Sequence, residues 1–127
     1  MDKIDGVALE VLQKTEWVAI ALAGPDGPHV VATWGDYIRS LGIEPNKLLA
    51  PAGLFNRTEA MLKNDPRVEV LAGSRAVAGE NGPGKGCALI GTAELQYEGD
   101  DFAKTKAQFP WARAVLVIRV EKVELQL

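Results

Sequence analysis

The segment GENGPGKGCALIGTAELQ, residues 79–96, decides what kind of fold this chain can adopt. Its first half resembles a nucleotide-binding P-loop, because Gly79 is followed after four residues by Gly84 and Lys85. A P-loop continues with Ser or Thr and then with a helix. Here Lys85 is followed by Gly86, and the second half has the alternation of a strand. The glycine run therefore predicts a hairpin loop between two strands.

Outward from this hairpin, six segments have the alternating or short apolar patterns typical of β-strands. They are residues 17–23, 28–40, 47–54, 67–74, 87–99 and 112–127. Pro51 interrupts the third segment, which indicates an edge strand or a bulge, because proline cannot donate to a β-ladder. The pattern predicts a mainly β fold with antiparallel neighbours, either a small closed barrel or an open sandwich.

Helical signals are restricted to three short segments, residues 4–14, 56–65 and 100–109. In the second of them Asn56 precedes Glu59 by three positions, the spacing of a reciprocal capping arrangement. Asp100 is the expected cap of the third helix. These helices are too short to dominate the fold.

Size and composition exclude several function classes. A chain of 127 residues is expected to form a single domain, residues 1–127. With one cysteine, Cys87, and one histidine, His29, a disulfide, a multi-cysteine metal site and a Ser-His-Asp hydrolase are poor expectations. The formal charge of −3 gives no general attraction to nucleic acid or anionic lipid. Without an apolar run long enough for a membrane span, we expect a soluble, cytoplasmic protein.

A phosphate site is predicted at the helix that begins near Asn56. Its first turn combines free backbone N–H groups with the Arg57 guanidinium and the Thr58 hydroxyl, all of which favour a bound phosphate. The alternative is that Asn56 only caps the helix, Thr58 only fills its first turn and Arg57 is a solvated charge. Local sequence alone does not decide between the two.

Aromatic side chains with small neighbours indicate a slot for a planar ring. Trp34 and Trp111 lie beside small residues or proline near strand ends, and Tyr37 follows Trp34 by three positions. The alternative is that these are ordinary core or interface aromatics. Trp17, at the start of an apolar strand, is expected to lie in the core.

The last strand predicts a partner subunit. Residues 112–120, ARAVLVIRV, are apolar on both alternating faces. One face is expected inside the barrel and the other under a second copy of the chain, related by a twofold axis.

Four ordered stretches resemble a known family over nearly the whole chain: DGPHVVATWGDY, APAGLFNRTEA, GSRAVAGENGPGKG and WARAVLVI. They are similar to the small homodimeric FMN-binding proteins of sulfate-reducing bacteria. These belong to the FMN-binding split-barrel superfamily, with pyridoxamine 5′-phosphate oxidase and the flavin reductases. The resemblance implies a six-stranded antiparallel split barrel and a homodimer with FMN at its interface.

The resemblance also implies roles for individual residues. It assigns Arg57 and Thr58, beside Asn56, to the FMN phosphate, and Thr33 and Trp34 to the ribityl chain and ring. The remaining implied cofactor positions are a backbone stretch at the ring edge (Pro51, Ala52 and Gly53), two aromatics (Tyr37 and Trp111, the latter reaching from the partner), an acidic position (Glu16) and a loop (Ser74 and Arg75). Gly35 and Asp36 depart from the polar pair expected after the tryptophan, so the local contacts at these two positions are open.

Three functions are compatible with this reading. The first is a flavin electron carrier that serves an unidentified redox partner protein. The second is an FMN-dependent oxidoreductase of the pyridoxamine 5′-phosphate oxidase or flavin reductase type, and the third is an interaction module without flavin. An oxidase of the pyridoxamine type is expected to be longer and to end with a tryptophan and an Arg-Leu-containing motif. This chain ends VEKVELQL, and it has no second basic cluster, which favours the carrier.

Overall fold

The computed structural model describes residues 1–127, which form six strands and four helices. In chain order the elements are α1 (Gly6–Lys14), β1 (Trp17–Leu22), β2 (His29–Trp34), α2 (Gly35–Leu41), β3 (Lys47–Ala52), α3 (Asn56–Asn64), β4 (Arg67–Gly79), β5 (Gly82–Gln96), α4 (Asp100–Gln108) and β6 (Ala114–Gln126). None of the four helices is both long enough and apolar enough to cross a lipid bilayer.

All six strands belong to one antiparallel sheet with the order β2-β1-β4-β5-β6-β3. Buried side chains from β1 at one side and β3 at the other share a single core with β4, β5 and β6, so the sheet must curl around that core. The edge strands β2 and β3 do not pair with each other. The split barrel is therefore confirmed, and the closed barrel that the strand pattern alone suggested is wrong.

The predicted hairpin between two strands is confirmed, but the prediction that the whole glycine run forms its loop is wrong. β4 extends to Gly79 and β5 starts at Gly82, so only Glu80 and Asn81 form the turn. Most of the glycine run is thus part of β5, and no helix follows it. Gly84, with φ of 120°, adopts a backbone conformation that residues other than glycine rarely adopt.

The second face of β6 is covered within the chain, which corrects the expectation that a partner must cover it. Val115 and Val117 form a small second core with Leu41 of α2 and Leu49 of β3, and the partly buried rings of α4 and its C-terminal flank pack against it. The helices α2 and α4 therefore cover the apolar face of β6 that we expected a second subunit to cover.

Residues 35–41, predicted as the end of the second strand, form the helix α2 instead. The Gly35 amide donates to the Glu16 carbonyl at 2.9 Å, and a Cβ at position 35 would overlap the Thr15 carbonyl oxygen. Arg39 then donates to the carbonyls of Leu12 and Thr15 at 3.0 and 2.6 Å. These contacts with the end of α1 turn the chain away from the sheet, and alternation in the sequence does not reveal them.

The predicted capping residues are each shifted by one position. Phe55, in a left-handed conformation with φ of 40°, is the N-cap of α3, and Asn56 is the first helical residue without a capping side-chain bond. The Glu59 amide donates to the Phe55 carbonyl at 2.9 Å, while its carboxylate pairs with Arg113. Gly99 likewise takes the cap position that was predicted for Asp100.

Candidate functional site

A cleft of about 470 Å³ lies where the unpaired edges of β2 and β3 face each other. We call it the seam cleft. Its lining residues are Trp17, Ala32, Thr33, Trp34, Tyr37, Pro51, Gly53, Leu54, Phe55 and Trp111. The volume is in the range of small-molecule and cofactor sites. The fold therefore brings six of the predicted cofactor positions, namely Thr33, Trp34, Tyr37, Pro51, Gly53 and Trp111, to one concave surface.

The walls of the seam cleft are aromatic. Tyr37 and Trp111 have ring centroids 6.0 Å apart, and Phe109 packs against both at 4.8 and 5.6 Å. Trp111 also lies close against Gly53, where a Cβ would be 3.2 Å from the indole ring. Trp34 and Trp111 nevertheless remain 50% and 53% exposed, so aromatic surface is free to stack on a planar ligand.

Trp17 belongs to this site, and its expected place in the core is wrong. It is 52% exposed and lies opposite Trp34 in the β1–β2 register. The inward face of β1 is filled by Val18 and Ile20, which alternate with Trp17 along the strand. That alternation was a signal in the sequence that placed Trp17 on the outer face.

The phosphate candidates adjoin the seam cleft at the start of α3. Phe55 lines the cleft and is also the N-cap, so the first amides of α3, which have no intrahelical partner, begin at the cleft wall. Thr58 is fully buried, whereas Asn56 and Arg57 are exposed. Arg57 takes part in none of the seven ion pairs of the chain, so its guanidinium is available to an anion.

His29 is a member of this group that the sequence did not reveal. Its Nε2 lies 3.3 Å from the Thr58 Oγ1, across 29 positions of sequence. Desolvation, and then the nearby positive charge of Arg57, lower the pKa of His29 below its ordinary value. No local motif surrounds His29, and only the tertiary fold brings the start of β2 and the first turn of α3 together.

Arg113 positions the loop between β3 and α3. Its Nε donates to the Gly53 and Leu54 carbonyls at 3.0 and 3.1 Å, and one terminal nitrogen donates to the Leu54 carbonyl at 2.6 Å. The other terminal nitrogen reaches the Glu59 carboxylate at 3.4 Å. This guanidinium therefore fixes the backbone that forms the cleft wall and ties it to the first turn of α3. Ala52, predicted at the ring edge, is fully buried behind that wall.

Glu16 lies beside the seam cleft and not in it. A second, polar cavity of about 430 Å³ shares Trp34 and Tyr37 with the seam cleft. Its other lining residues are Lys14, Glu16, Asp36 and Arg39. Lys14 pairs with Glu10, and Arg39 is engaged by backbone carbonyls, so the carboxylates of Glu16 and Asp36 are the groups left without an ion-pair partner.

Ser74 and Arg75 are not brought to the seam cleft by this chain. Ser74 accepts a hydrogen bond from the Ala76 amide, and Arg75 donates to the Pro83 carbonyl within the β4–β5 hairpin. Arg75 lines a separate cavity at that hairpin. Any contact of these residues with a ligand in the seam cleft would have to come from another copy of the chain.

An apolar surface extends from the mouth of the cleft. Trp17, Leu71 and Leu127 are 52%, 47% and 77% exposed and line one shallow cavity of about 340 Å³. We call these three residues the outer apolar face. Trp17 lies in the lining of both this cavity and the seam cleft, so the two surfaces are continuous.

Two comparisons show what the sequence of this chain is similar to. A family model described as pyridoxamine 5′-phosphate oxidase matches residues 4–127. A protein of Nitratidesulfovibrio vulgaris (strain DSM 19637 / Miyazaki F) called FMN-binding protein is 44% identical over 124 residues, which cover 98% of this chain and 99% of that protein.

Solved structures share the fold at low sequence identity. A variant of HupZ from Group A Streptococcus superposes with a TM-score of 0.74 at 17% identity, covering 97% of this chain and 99% of its own. A FAD-binding protein of Mesorhizobium loti gives a TM-score of 0.62 at 19% identity, covering 92% and 89%. At these identities the likeness concerns the fold alone.

Proposed function

The chain belongs to the pyridoxamine 5′-phosphate oxidase family, and on that premise we propose that it is a flavoprotein whose seam cleft binds FMN. The observation that carries the proposal is the continuity of the site. Exposed aromatic surface at Trp34 and Trp111 lies in the same cleft as Phe55. Phe55 is the N-cap of α3, whose first turn carries Arg57 and Thr58. FMN has the matching parts, a planar ring system at one end and a phosphate at the other.

The residues of the cleft fit the chemistry of this cofactor. Arg57, Thr58 and the first amides of α3 would hold the phosphate, because cation, hydroxyl and helix dipole all favour a dianion there. The aromatic walls would hold the ring, and Thr33 of β2 lines the same cleft. The N. vulgaris protein, similar over almost its whole length, is called an FMN-binding protein, which supports the same assignment.

Within this class we propose electron transfer as the function. FMN, when bound, supplies redox chemistry that the protein side chains cannot perform. Among the ten residues that line the seam cleft, Tyr37 is the only one with a titratable side chain. The chain thus provides binding, orientation and exclusion of water around the ring, but no carboxylate or imidazole in the cleft for general acid–base work.

The second candidate is an FMN-dependent oxidoreductase of the pyridoxamine 5′-phosphate oxidase or flavin reductase type. The observation that favours it is the polar cavity beyond Trp34 and Tyr37, which holds the unpaired carboxylates of Glu16 and Asp36. A small cationic substrate could enter there. The cavity is less suited to a phosphorylated substrate, because its two basic side chains, Lys14 and Arg39, already have partners within the chain.

A homodimer completes the proposal. The outer apolar face needs cover, and Trp17 connects it to the seam cleft, so a second copy seated there would also close the mouth of the flavin site. A twofold arrangement would bring residues of one chain toward the cleft of the other. Trp111 lines the cleft of its own chain, and contact with the partner's flavin would be an additional role.

Spectroscopy and turnover assays test these roles. We expect the purified protein to bind one FMN per chain, with the visible absorbance of a flavin, and to exchange electrons with small redox dyes. The same sample is then supplied with pyridoxamine 5′-phosphate and oxygen, or with NADH or NADPH. Sustained turnover of pyridoxamine 5′-phosphate, NADH or NADPH would favour the oxidoreductase over the electron carrier. A protein that binds no flavin would overturn the proposed function.

A further inference from the structure

We propose that His29 is a proton-linked positioning residue of the phosphate site, which decides whether the Thr58 hydroxyl is free to donate to a bound phosphate. The inference rests on the proposed FMN site and adds a dependence on pH to it. Nothing in the sequence around His29 suggests this role, because the contact is made across 29 positions of chain.

The first step is the geometry of the hydroxyl. Thr58 is fully buried at the first turn of α3, and its Oγ1 has one side-chain partner, the His29 Nε2 at 3.3 Å. A hydroxyl has a single hydrogen to donate. If Nε2 carries no hydrogen, it is an acceptor, and Thr58 donates its hydroxyl hydrogen to it. If Nε2 carries a hydrogen, His29 donates to Oγ1, and the hydroxyl hydrogen can point to a ligand.

The second step is the proton on His29. Protonation places a hydrogen on both ring nitrogens, so it forces the arrangement in which Thr58 is free to donate. Desolvation and then Arg57 lower the pKa of His29 in the free protein, so both favour the neutral ring. A phosphate dianion beside Arg57 and Thr58 opposes the field of Arg57 and stabilises the imidazolium.

The surroundings of His29 contain few competing charges. β1, which pairs with His29 at Leu22, has the sequence WVAIAL and carries no titratable side chain. On α3, Arg57 is the charge that acts on the imidazole, Glu59 is paired with Arg113, and Lys63 lies in the last turn. Asp26 in the preceding turn forms no ion pair with His29.

The sign of the effect follows from linkage. The FMN-bound state has the higher pKa at His29, so it holds more protons between the two pKa values and FMN binding takes up a proton there. The contribution of His29 to affinity is therefore present at pH below the bound-state pKa and is lost as the pH rises through it. A rise of about one pKa unit corresponds to about a tenfold gain in affinity.

NMR tests the proton step directly, because His29 is the only histidine of the chain and its imidazole signal needs no assignment. The protein, prepared without a histidine tag and freed of flavin, is titrated with pH alone, with FMN and with riboflavin. We expect FMN to raise the pKa of His29 and riboflavin, which has no phosphate, to leave it unchanged. An equal pKa in all three samples would overturn the inference.

Affinity measurements on variants test the hydroxyl step. His29→Gln keeps a hydrogen-bonding group near Thr58 that cannot be protonated, and His29→Ala removes it. We expect the ratio of wild-type affinity for FMN to that of either variant to rise several-fold as the pH falls, because neither Gln nor Ala can take up the proton. Lys63→Gln, at the far end of α3, serves as the control with the wild-type profile. Because each ratio compares the same ligand, the titration of FMN's own phosphate cancels.

The outcomes separate this inference from the proposed function. If FMN binds no better than riboflavin, the phosphate site itself is wrong. If FMN is preferred but His29→Gln matches wild type at every pH, the phosphate site stands and the role of His29 is wrong. Circular dichroism spectra of the variants establish that each one is folded.

Discussion

At the scale of single residues, neighbouring positions in the sequence have opposite environments. Thr58 is fully buried and held by His29, whereas Arg57, next to it, is exposed and unpaired. A buried hydroxyl gives direction and an exposed guanidinium gives charge, and a phosphate site needs both. The same residue pair would have no special meaning on a helix whose start did not adjoin a cleft.

The phosphate preference is the first prediction at this scale. FMN should bind more tightly than riboflavin, and Arg57→Ala should remove much of the difference, because a charge-assisted hydrogen bond contributes about 1.5–3 kcal/mol. Fluorescence titration of both flavins measures it. Arg119→Ala, an exposed arginine paired with Glu94, is the matched control. Equal affinity of the parent protein for both flavins would show that the phosphate is not held here.

Glu16 gives a second prediction. Its carboxylate lies in the polar cavity that shares Trp34 and Tyr37 with the seam cleft. A negative charge near a flavin opposes the charge gained on reduction, so Glu16→Gln should raise the reduction potential of bound FMN. Potentiometry of the variant, with Glu121→Gln as control, decides the matter. A potential that is unchanged or lower would remove Glu16 from the flavin environment.

At the scale of the elements, the two edge strands and the segments that leave them create the site. β2 ends at Trp34 and passes directly into α2, while β3 ends at Ala52 and passes through the Arg113-held loop into α3. One wall of the cleft is therefore formed by β2 and α2, and the other by β3 and the loop that leads into α3. Because neither edge is paired across the seam, the backbone there can face a ligand.

The start of α2 gives the prediction that belongs to this scale. Gly35→Ala should destabilise the protein by about 1–3 kcal/mol or more, because the added Cβ would overlap the Thr15 carbonyl oxygen, a backbone atom with no freedom to move aside. Urea denaturation measures the change. Gly73→Ala is the matched control, since its Cβ would lie 3.6 Å from the nearest atom and should cost little. Equal stability of the two variants would contradict this account of α2.

At the scale of the whole molecule, the outer apolar face and the seam cleft meet at Trp17. A second copy that covers the face would also contact a residue of the flavin site. Cofactor binding and dimerisation would then be coupled, because a ligand that prefers the assembled state stabilises it.

The coupling is the last prediction. Sedimentation at falling protein concentration should show a dimer that persists to greater dilution with FMN than without it. Leu71→Asp, on the outer apolar face, should weaken both the dimer and FMN affinity, whereas Val7→Asp, on the exposed side of α1, should weaken neither. A monomer that keeps full flavin affinity on dilution would contradict the coupling.

The sequence alone determined the parts of this protein that depend on neighbours along the chain. Alternation and short apolar runs predicted the six strands, and the missing Ser or Thr after Lys85 argued against a P-loop. Pro51 indicated an edge strand or a bulge, and β3 lies at the edge of the sheet. These signals are local because side-chain alternation and proline chemistry act within a few residues. The four stretches that resemble the FMN-binding proteins indicated the family, and the family implied the split-barrel fold.

Only the tertiary structure decided the features that depend on contacts between distant segments. The Thr15 carbonyl, 20 positions before Gly35 in the chain, turns residues 35–41 into a helix, and the curl of the sheet leaves β2 and β3 unpaired. His29 reaches Thr58 and Arg113 reaches the loop before α3 in the same way. Local patterns do not encode such pairs, because the free energy that fixes them comes from packing of the whole sheet around one core.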